Sequence, residues 1–337
     1  EGFYCVACEA YYTEKDLING NCPVHKKKVD KLKEESYFFR LSKYRKKLLE
    51  LYKKNPKFIQ PKKRGKEIFN RVKDELRDLS ISRKDYGWGI KLPFDKTHCV
   101  YVWYDALTNY YTATREKGKE KFWPADVHII GKDILWFHAV IWPAMLLSAG
   151  IKLPKQIFAH GWWNIEEEKI SKTTGNVINI PDLVSIAGVD SARYFLLREI
   201  PFGNDGDFSR KLLIERHNNE LADKLGNLVS RVSALAEKYG LKKTENKLLK
   251  KFKEKEIEKH FENYEIDKVL NLIFAFIDIC NFYIQEKKPW KTHDKKVLYE
   301  LIESIMKINP YIGIFMPETS GKIAKIFKTD KIKKAGI

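Results

Sequence analysis

The sequence lacks the features that mark membrane-spanning, secreted and disordered proteins. No apolar run approaches the ~18–20 residues that a membrane-spanning helix requires. Residues 1–5 (EGFYC) have neither the basic segment nor the apolar segment of a signal peptide. Internal repeats and low-complexity segments are absent, and a hydrophobic content of 44% excludes disorder. We therefore expect a folded, cytoplasmic protein.

Acidic residues are scarce relative to basic ones. The 337 residues include 63 Lys and Arg against 45 Asp and Glu, a formal net charge of +18. This excess favours a polyanionic partner, although a lysine-rich genome would produce the same charge. We interpret the lysines of two amphipathic helical stretches, residues 41–53 and 66–78, as a solvated face rather than a specific nucleic-acid site.

Cysteines are few, but three of the five cluster with a histidine at the start of the chain. Cys5-x-x-Cys8 and Cys22-x-x-His25 are separated by thirteen residues. Each pair turns back on itself, so that two soft ligands converge on one tetrahedral ion. Four protein ligands leave no open coordination position, and the pattern therefore predicts a structural Zn²⁺ knuckle in a reducing compartment.

Two helical faces rich in aromatic side chains each follow a predicted strand. The strands are residues 99–103 (CVYVW) and 126–130 (DVHII). After each of them, apolar side chains recur at helical spacing. The first face comprises Trp103, Ala106, Leu107 and Tyr110, and the second comprises Ile134, Phe137, His138 and Trp142.

The Gly131-Lys132-Asp133 turn joins the second strand to its helix. A strand, a glycine-containing turn and a helix form half of a doubly wound unit, whose ligands bind beyond the carboxyl ends of the strands. Either face alone would be typical of an ordinary helix–sheet core. Together they favour a ligand site in an α/β domain.

Residues 169–173 (KISKT) predict a flexible basic loop. Lys169 and Lys172 are three apart with Ser171 between them, so the loop is suited to close over a polyphosphate and neutralise charge during phosphoryl or nucleotidyl transfer. Such a loop alone is more often a solvated turn. Here it follows a predicted buried strand, residues 157–165, and precedes a predicted helix at Pro181.

The character of the chain changes to all-helical after Ser209. Apolar patterns with a 3.6-residue period cover residues 212–239, 257–287, 295–307 and 310–327. Asn227 and Arg231 lie four apart and share a helical face, and Pro289-Trp290 follows a long helix. Indole and guanidinium planes are groups on which unstacked RNA bases pack, although each residue singly is more typical of a core or a cap.

KISKT resembles the KMSKS signature of class I aminoacyl-tRNA synthetases. Further segments resemble the methionyl-tRNA synthetases that carry one zinc knuckle, in the order of that family. They are residues 33–44 (KEESYFFRLSKY), 78–83 (DLSISR), 102–110 (VWYDALTNY), 129–142 (IIGKDILWFHAVIW), 169–177 (KISKTTGNV), 190–201 (DSARYFLLREIP), 225–231 (LGNLVSR) and 286–290 (EKKPW).

The resemblance implies an α/β plus all-α fold. It divides the chain into a zinc-bearing connective insertion (1–95), the C-terminal half of a Rossmann catalytic domain (96–180), a stem-contact linker (181–210) and a helical-bundle anticodon-binding domain (211–337). The HIGH motif of class I synthetases, which precedes the zinc insertion, has no counterpart here. We therefore expect a fragment or half of an enzyme that needs a HIGH-containing part, in the same chain or in trans.

The resemblance also implies a reaction and a set of roles. The methionine carboxylate would attack the α-phosphate of ATP, bound with Mg²⁺, and the methionyl group would pass to the terminal adenosine of tRNA(Met). Lys169 and Lys172 would stabilise the leaving pyrophosphate, with Gly131, Asp133 and Ser171 also at the ATP site. Methionine would contact Trp103, Ala106, Leu107, Tyr110, Ile134, Phe137, His138 and Trp142, and Arg83 would meet its carboxylate or a phosphate. The anticodon would contact Asn227, Arg231, Pro289 and Trp290.

Three other interpretations stay open on the sequence. Another class I synthetase, for cysteine, isoleucine, valine or leucine, would share the KMSKS-like loop and the helical bundle. The branched-chain enzymes carry a large editing insertion, however, and only about 95 residues precede the predicted strand at Val100. A tRNA-binding module without catalysis and a purely structural zinc protein are the remaining alternatives.

Overall fold

The structure, a computed structural model, describes residues 2–7, 10–12, 14–24, 26–32, 35–165, 168–169 and 178–327. The chain forms two compact units, Glu1–Ala159 and His160–Ile337. The boundary between them lies inside the segment 96–180 that the sequence assigns to the Rossmann half. The four domain ranges stay a prediction.

The first unit combines short strands with helices. Its strands are β1 (Gly2–Cys5), β2 (Ala10–Tyr12), β3 (Asp30–Leu32), β4 (Phe38–Phe39), β5 (Ile59–Gln60), β6 (Leu79–Ser80), β7 (Ser82–Lys84), β8 (His98–Val100), β9 (His128–Gly131) and β10 (Ile157–His160). Its helices are α1 (Arg45–Lys54), α2 (Lys62–Asp74), α3 (Val102–Ala106), α4 (Asn109–Thr112) and α5 (Trp142–Ala149). The strands form the sheets β2-β1-β3 and β5-β10-β9 and the pairs β4-β6 and β7-β8, with β5 and β10 parallel.

The core of this unit lies between α1, α2, α5 and β10. Leu48 and Tyr52 on α1 are four apart, as are Ile68 and Val72 on α2, and all four side chains are buried. Apolar residues at this spacing form one stripe along each helix, which is why these lysine-rich segments fold against the sheet. Burial of the stripes supports the strand β10 at the centre of its sheet.

Several element boundaries in this unit differ from the sequence prediction, among them α2, which was predicted as residues 66–78 and spans Lys62–Asp74. β8 ends at Val100, and Val102 and Trp103 already belong to α3, so the predicted strand 99–103 was too long. After β9, a π-helical turn (Phe137–Ile141) precedes α5, which the 3.6-residue period did not predict. The helical face of Trp103, Ala106, Leu107 and Tyr110 is likewise divided between α3 and α4.

The second unit is mostly helical. Its strands are β11 (Trp163–Ile165), β12 (Glu168–Lys169) and β13 (Gly206–Phe208), in the order β12-β11-β13. Its helices are α6 (Ile180–Ala187), α7 (Val189–Arg198), α8 (Arg210–Arg216), a π-helical segment (His217–Gly226), α9 (Asn227–Tyr239), α10 (Glu254–Glu262), α11 (Ile266–Lys287), α12 (Pro289–Thr292), α13 (Lys295–Phe315) and α14 (Pro317–Phe327).

The predicted strand 157–165 is in fact two strands in different sheets. β10 ends at His160 and β11 begins at Trp163. At Gly161 between them, the backbone passes so close to another segment that a Cβ atom would lie 2.1 Å from the carbonyl oxygen of Asn204. Only glycine fits this approach, and the chain changes sheet there.

Proline also marks a difference in the helical region. Pro310, predicted to begin a helix, lies inside α13, which continues to Phe315. The break comes at Met316, and Pro317 begins α14. Because Ile308, Ile312 and Phe315 are buried, packing offsets the missing hydrogen bond at Pro310.

Within the described residues, the segment Ile266–Thr292 is the one stretch apolar and long enough to cross a membrane by composition alone. The mean hydropathy of its apolar part is 1.3, and 44% of that part is buried inside the protein. Val269, Ile273 and Ile277 lie in the helical core with at most 1% of their surface exposed. This burial is typical of the central helix of a folded bundle.

Candidate functional site

An aromatic cluster gathers beside β9, formed by α3, α4 and the π-helical turn. The rings of Trp103 and Phe137 stack with centroids 4.0 Å apart and planes inclined by 15°. Both side chains are half-buried, so the stacked pair keeps an accessible edge. Flat aromatic surfaces of this kind favour an apolar, polarizable ligand.

A hydrogen-bonded pair fixes the inner part of the cluster. Nδ1 of His138 donates to the carbonyl of Ile134 over 3.0 Å, so Nε2 is left as the acceptor for the Tyr110 hydroxyl at 2.9 Å. His138 is only 1% exposed, and this burial lowers the pKa of its imidazole. The ring is therefore neutral at pH 7 and occupies one tautomer.

His128 belongs to the same cluster and was missed by the sequence analysis. Its ring centroid lies 4.4 Å from that of Tyr110, and Trp142 Nε1 donates to its Nε2 over 3.4 Å. Burial, together with the nearby His138, lowers the pKa of His128 to about 4. No alternation in the sequence distinguished it, because Ile129 and Ile130 are both apolar, yet Ile129 is exposed while His128 and Ile130 are buried.

The cluster opens on a cavity of about 310 Å³. Tyr110 and His128 line it together with Trp123, whose ring lies 6.0 Å from that of Trp142. A cavity of this size matches the lower end of small-ligand sites. Its lining places aromatic and imidazole groups, and no carboxylate, around the space.

The structure brings most of the predicted methionine residues together. Some lie in the aromatic cluster, whereas others belong to the core or to a neighbouring helix. Ring contacts connect Trp103, Tyr110, Phe137, His138 and Trp142. Ile134 joins them through its carbonyl. Leu107, at 1% exposure, is a core residue, and Ala106 is half-buried on α3.

The predicted nucleotide residues of the first unit follow β9. Gly131 ends the strand with φ −67°, and Asp133 is exposed on the next turn, Lys132–Ile134. Because that φ value is open to any residue, the glycine is not required by backbone conformation. An exposed carboxylate after a strand end is able to accept hydrogen bonds from ribose hydroxyls.

Arg83 is held in a defined orientation on β7. Its Nη1 donates to Ser80 Oγ and to the Ser82 carbonyl, each over 2.7 Å. The guanidinium also lies 4.3 Å from the centroid of the Tyr101 ring. An oriented guanidinium is suited to carboxylate or phosphate recognition.

Much of the predicted KMSKS-like loop lies outside the described residues. The backbone of Lys169 belongs to β12, where it pairs with Asn164 on β11. Ser171 and Lys172 lie outside the described residues. The roles of the two lysines therefore stay predictions.

Two of the four predicted zinc ligands are described. The side chains of Cys5 and Cys22 are 2% and 0% exposed and share a small core cluster with Val29. A tight turn surrounds Cys22, whose carbonyl accepts from Lys26 N at 2.8 Å. Cys8 and His25 lie outside the described part of the chain, within which no group of three or more potential ligands occurs. Buried thiols at a tight turn fit half of a tetrahedral donor set.

The predicted anticodon residues meet at the start of α9 and at α12. The Arg231 guanidinium lies 5.3 Å from the centroid of the Trp290 ring. Trp290 is half-buried and packs on the helical core, Pro289 is buried, and Asn227 is exposed one turn before Arg231. The Arg231–Trp290 pair therefore packs on the helical core through Trp290, while part of both side chains stays accessible to solvent.

Comparisons with known proteins place these features in a family. The profile described as "tRNA synthetases class I (M)" matches residues 1–233, and that of the "anticodon-binding domain of tRNA ligase" matches residues 245–336. The chain is 43% identical to a methionine–tRNA ligase of Caldanaerobacter subterraneus subsp. tengcongensis, over 96% of this chain and 54% of that protein. It is also 43% identical to the methionine–tRNA ligase of Rickettsia bellii, over 96% of this chain and 68% of that one.

A solved structure is similar throughout. Mycobacterium tuberculosis methionyl-tRNA synthetase in complex with methionyl-adenylate matches with a TM-score of 0.91 and 37% identity. The match covers 96% of this chain and 70% of the other. The chain spans about half the length of the Caldanaerobacter and clostridial relatives (54%, 55% and 54%).

Proposed function

This chain belongs to the class I methionyl-tRNA synthetase family, and we propose that the protein containing it activates methionine with ATP and transfers the methionyl group to tRNA(Met). The observation that carries this proposal is the aromatic cluster of Trp103, Phe137, Tyr110 and His138. It offers a largely apolar, uncharged site of the kind that suits the side chain of methionine.

The thioether is recognised by aromatic surfaces. Sulfur–ring contacts contribute about 0.3–1.5 kcal/mol each, and the Trp103–Phe137 stack provides two such rings. Because His138 is neutral, an apolar side chain that binds beside it does not desolvate a charge. The Tyr110 hydroxyl, already oriented by His138, is a further polar group beside the sulfur.

The activation step needs charge stabilisation rather than a protein nucleophile. Since the methionine carboxylate is itself the nucleophile, the proposed work of Lys169 and Lys172 is to stabilise the departing pyrophosphate, with Ser171 beside them. Gly131 and Asp133 hold the nucleotide, and ATP enters with Mg²⁺. Arg83 orients the methionine carboxylate or a phosphate.

The remaining roles concern tRNA and zinc. We propose that Asn227, Arg231, Pro289 and Trp290 contact the anticodon, where the guanidinium–indole pair offers a stacking surface. Cys5, Cys8, Cys22 and His25 would hold one structural Zn²⁺, which stabilises the small N-terminal sheet when bound. The protein would act in the cytoplasm.

Methionine activation also requires a HIGH-containing segment, supplied by the same chain or by another. No such motif occurs in the 337 residues. In class I synthetases, the segment that carries it contributes the opposite side of the ATP site. Positioning of two reactants accounts for roughly 7–11 kcal/mol of a barrier, so we expect residues 1–337 alone to give no measurable turnover.

Methionine-dependent ATP–pyrophosphate exchange tests the proposal. The protein carrying these residues, together with a HIGH-containing segment, should exchange with methionine and not with cysteine, isoleucine, valine or leucine. Exchange dependent on one of those other amino acids would assign another class I synthetase. Binding of tRNA without any exchange would instead assign a tRNA-binding module.

A further inference from the structure

A second cavity, of about 610 Å³, lies between the end of α1, β5 and α2. None of the residues that line it has a predicted role in methionine, ATP, zinc or anticodon binding. They are Tyr52, Asn55, Pro56, Lys57, Ile59, Gln60, Lys62, Gly65, Lys66, Phe69 and Asn70. The cavity is therefore separate from the residues assigned above.

The rim of this cavity is positively charged. Lys57, Lys62 and Lys66 line it, and no aspartate or glutamate does. The nearest acid in sequence, Glu67, forms an ion pair with Arg64 at 2.9 Å. None of the three rim lysines forms an ion pair with a described carboxylate, so their charge is available to an anion. Lys53, Lys54 and Lys63 on the same elements are exposed and add to this potential.

The walls of the cavity are apolar. Tyr52, Pro56, Ile59 and Phe69 form them, and Phe69 is half-buried with the Lys53 ammonium 6.0 Å from its ring centroid. A bare phosphate or a carboxylate needs no such walls. An aromatic wall beside a cationic rim matches a ligand that has both a flat ring and an anionic group.

Amide side chains complete the lining. Asn55, Gln60 and Asn70 each carry both donor and acceptor groups, which suit the polar edges of a nucleobase. The charge of the whole chain, +18, favours an anionic ligand of this kind. The lysines suit the phosphate of a nucleotide, the aromatic wall suits its base ring, and the amides suit the polar edge of that ring.

We propose that this cavity binds a nucleotide unit, with its base on Phe69 and its phosphate between Lys57, Lys62 and Lys66. The source of the unit is either an unpaired residue of an RNA chain or a free mononucleotide. The sequence alone suggested that Lys66, in the stretch 66–78, belongs to a solvated face, and it made no prediction for Lys57 or Lys62. The arrangement of the three lysines around a walled cavity changes that interpretation of Lys66.

The structure also indicates which residues are suitable for a test. Tyr52 is unsuitable, because its hydroxyl donates to the Ala139 carbonyl over 2.7 Å and thereby supports the π-helical turn that carries His138. The three rim lysines are exposed, so their replacement leaves the core intact. Lys43, Lys46 and Lys47, also exposed and outside the cavity lining, supply a control with the same loss of charge.

The experiment compares the triple variant Lys57→Gln/Lys62→Gln/Lys66→Gln with Lys43→Gln/Lys46→Gln/Lys47→Gln. The probes are a short unpaired RNA oligomer, AMP and inorganic phosphate, measured by direct titration across a range of salt concentrations. The cavity variant should lose about tenfold or more in affinity for RNA or AMP. The slope of log K against log salt for the RNA should become shallower by about 1, because the three lysines neutralise one phosphate. The control should change the affinity less than twofold.

A second variant tests the base contact. Phe69→Leu keeps the apolar volume and removes the ring, and should weaken binding by about tenfold with no change in the salt slope. Photo-crosslinking with 8-azido-AMP or a 4-thiouridine RNA should label residues between 52 and 70. A label that only the RNA gives assigns an RNA residue as the ligand, and one that AMP gives equally assigns a free nucleotide.

Three results would overturn the proposal. The first is an equal loss of binding in the two triple variants, which would mean general charge attraction. The second is inorganic phosphate competing as well as AMP, which would remove the base from the ligand. The third is crosslinks that survive in the cavity variant. All variants retain the residues proposed for methionine activation, so pyrophosphate exchange in the presence of a HIGH-containing segment verifies that they are folded.

Discussion

The Tyr110 hydroxyl donates to Nε2 of His138 over 2.9 Å, and Nδ1 of the same ring is already bonded to the Ile134 carbonyl. A histidine with 1% exposure thus has both ring nitrogens paired. Because burial also keeps the ring neutral, the two side chains act as one oriented group at the candidate methionine site.

Tyr110→Phe should therefore lower the free energy of unfolding by about 1–3 kcal/mol, because a buried acceptor loses its donor. We also expect weaker methionine binding, measured by titration. Tyr111→Phe on the same helix is the control, since the Tyr111 hydroxyl only meets Arg115 on the exposed side. Equal losses in the two variants would contradict the assigned role of the pair.

Burial of His128 should make the stability depend on pH. Its pKa is about 4 in the folded state against 6.5 ordinarily. The unfolded chain therefore binds the extra proton first, and stability should fall as the pH drops from 6.5 towards 4, by at most about 3 kcal/mol. Denaturant unfolding at several pH values measures this slope.

The comparison variant for this pH effect is His128→Asn. In this variant, the loss of stability that His128 causes between pH 6.5 and 4 should disappear. His293→Asn, at an exposed position, should keep the wild-type profile. Carboxylates that titrate in the same range contribute equally to all three proteins. An unchanged slope in His128→Asn would show that His128 is protonated without cost.

The zinc content should depend on Cys5 and Cys22, the two buried cysteines of the predicted zinc knuckle. Cys5→Ser or Cys22→Ser should reduce bound Zn²⁺ well below one per chain and lower the melting temperature, because metal binding contributes to folding. Cys99→Ser is the control, being buried but far in sequence from the knuckle. Elemental analysis after gel filtration is the measurement, and full zinc occupancy in both knuckle variants would reject the ligand set.

In the enzyme completed by a HIGH-containing segment, Lys172→Ala should lower the rate of methionyl-adenylate formation by about 10²–10³-fold, the usual effect of removing one charge-stabilising donor. Methionine affinity should change little, because the role proposed for this lysine is at the pyrophosphate. Lys152→Ala, at an exposed position outside the loop, should have no effect. A rise in KM for methionine with unchanged kcat would assign Lys172 to ground-state binding instead.

Trp290→Ala should weaken tRNA binding by about 1–3 kcal/mol, the value of one lost base stack. Pyrophosphate exchange by the enzyme completed with a HIGH-containing segment should stay unchanged. Because Trp290 also packs on the helical core, the Phe variant separates the two effects. Trp290→Phe should restore stability fully and tRNA affinity in part. If loss of tRNA affinity follows only the melting temperature across the variants, Trp290 is a core residue without a direct contact.

Sequence patterns predicted those features that depend on neighbouring residues. The stripes of α1 and α2 follow from apolar residues four apart, such as Leu48 and Tyr52. The helix predicted at Pro181 is α6, whose first turn is closed by Asp182 N donating to the Asn179 side chain over 2.9 Å. Both features depend on contacts between residues that are close in the sequence. The class of fold was predicted from the family motifs.

Features set by distant parts of the chain could not be predicted in this way. The break at Gly161 depends on Asn204, which is 43 positions later in the sequence. The π-helical segment His217–Gly226 departs from the period that the sequence analysis assumed. His128 was missed because a single histidine in a strand reveals its partners Tyr110 and Trp142 only after folding.

The order of α11 and α13 along the chain has a consequence for synthesis on the ribosome. α11 forms most of the one described segment that is both long and apolar enough to cross a membrane, and it packs against α13. At about 5–20 residues per second, Phe315 is added roughly 1–6 seconds after Lys287. During that interval the nascent chain presents an uncovered apolar helix, a surface that chaperones which hold unfolded proteins bind. Slow codons between Lys287 and Phe315 should therefore reduce the soluble yield, whereas slow codons after Phe327 should not.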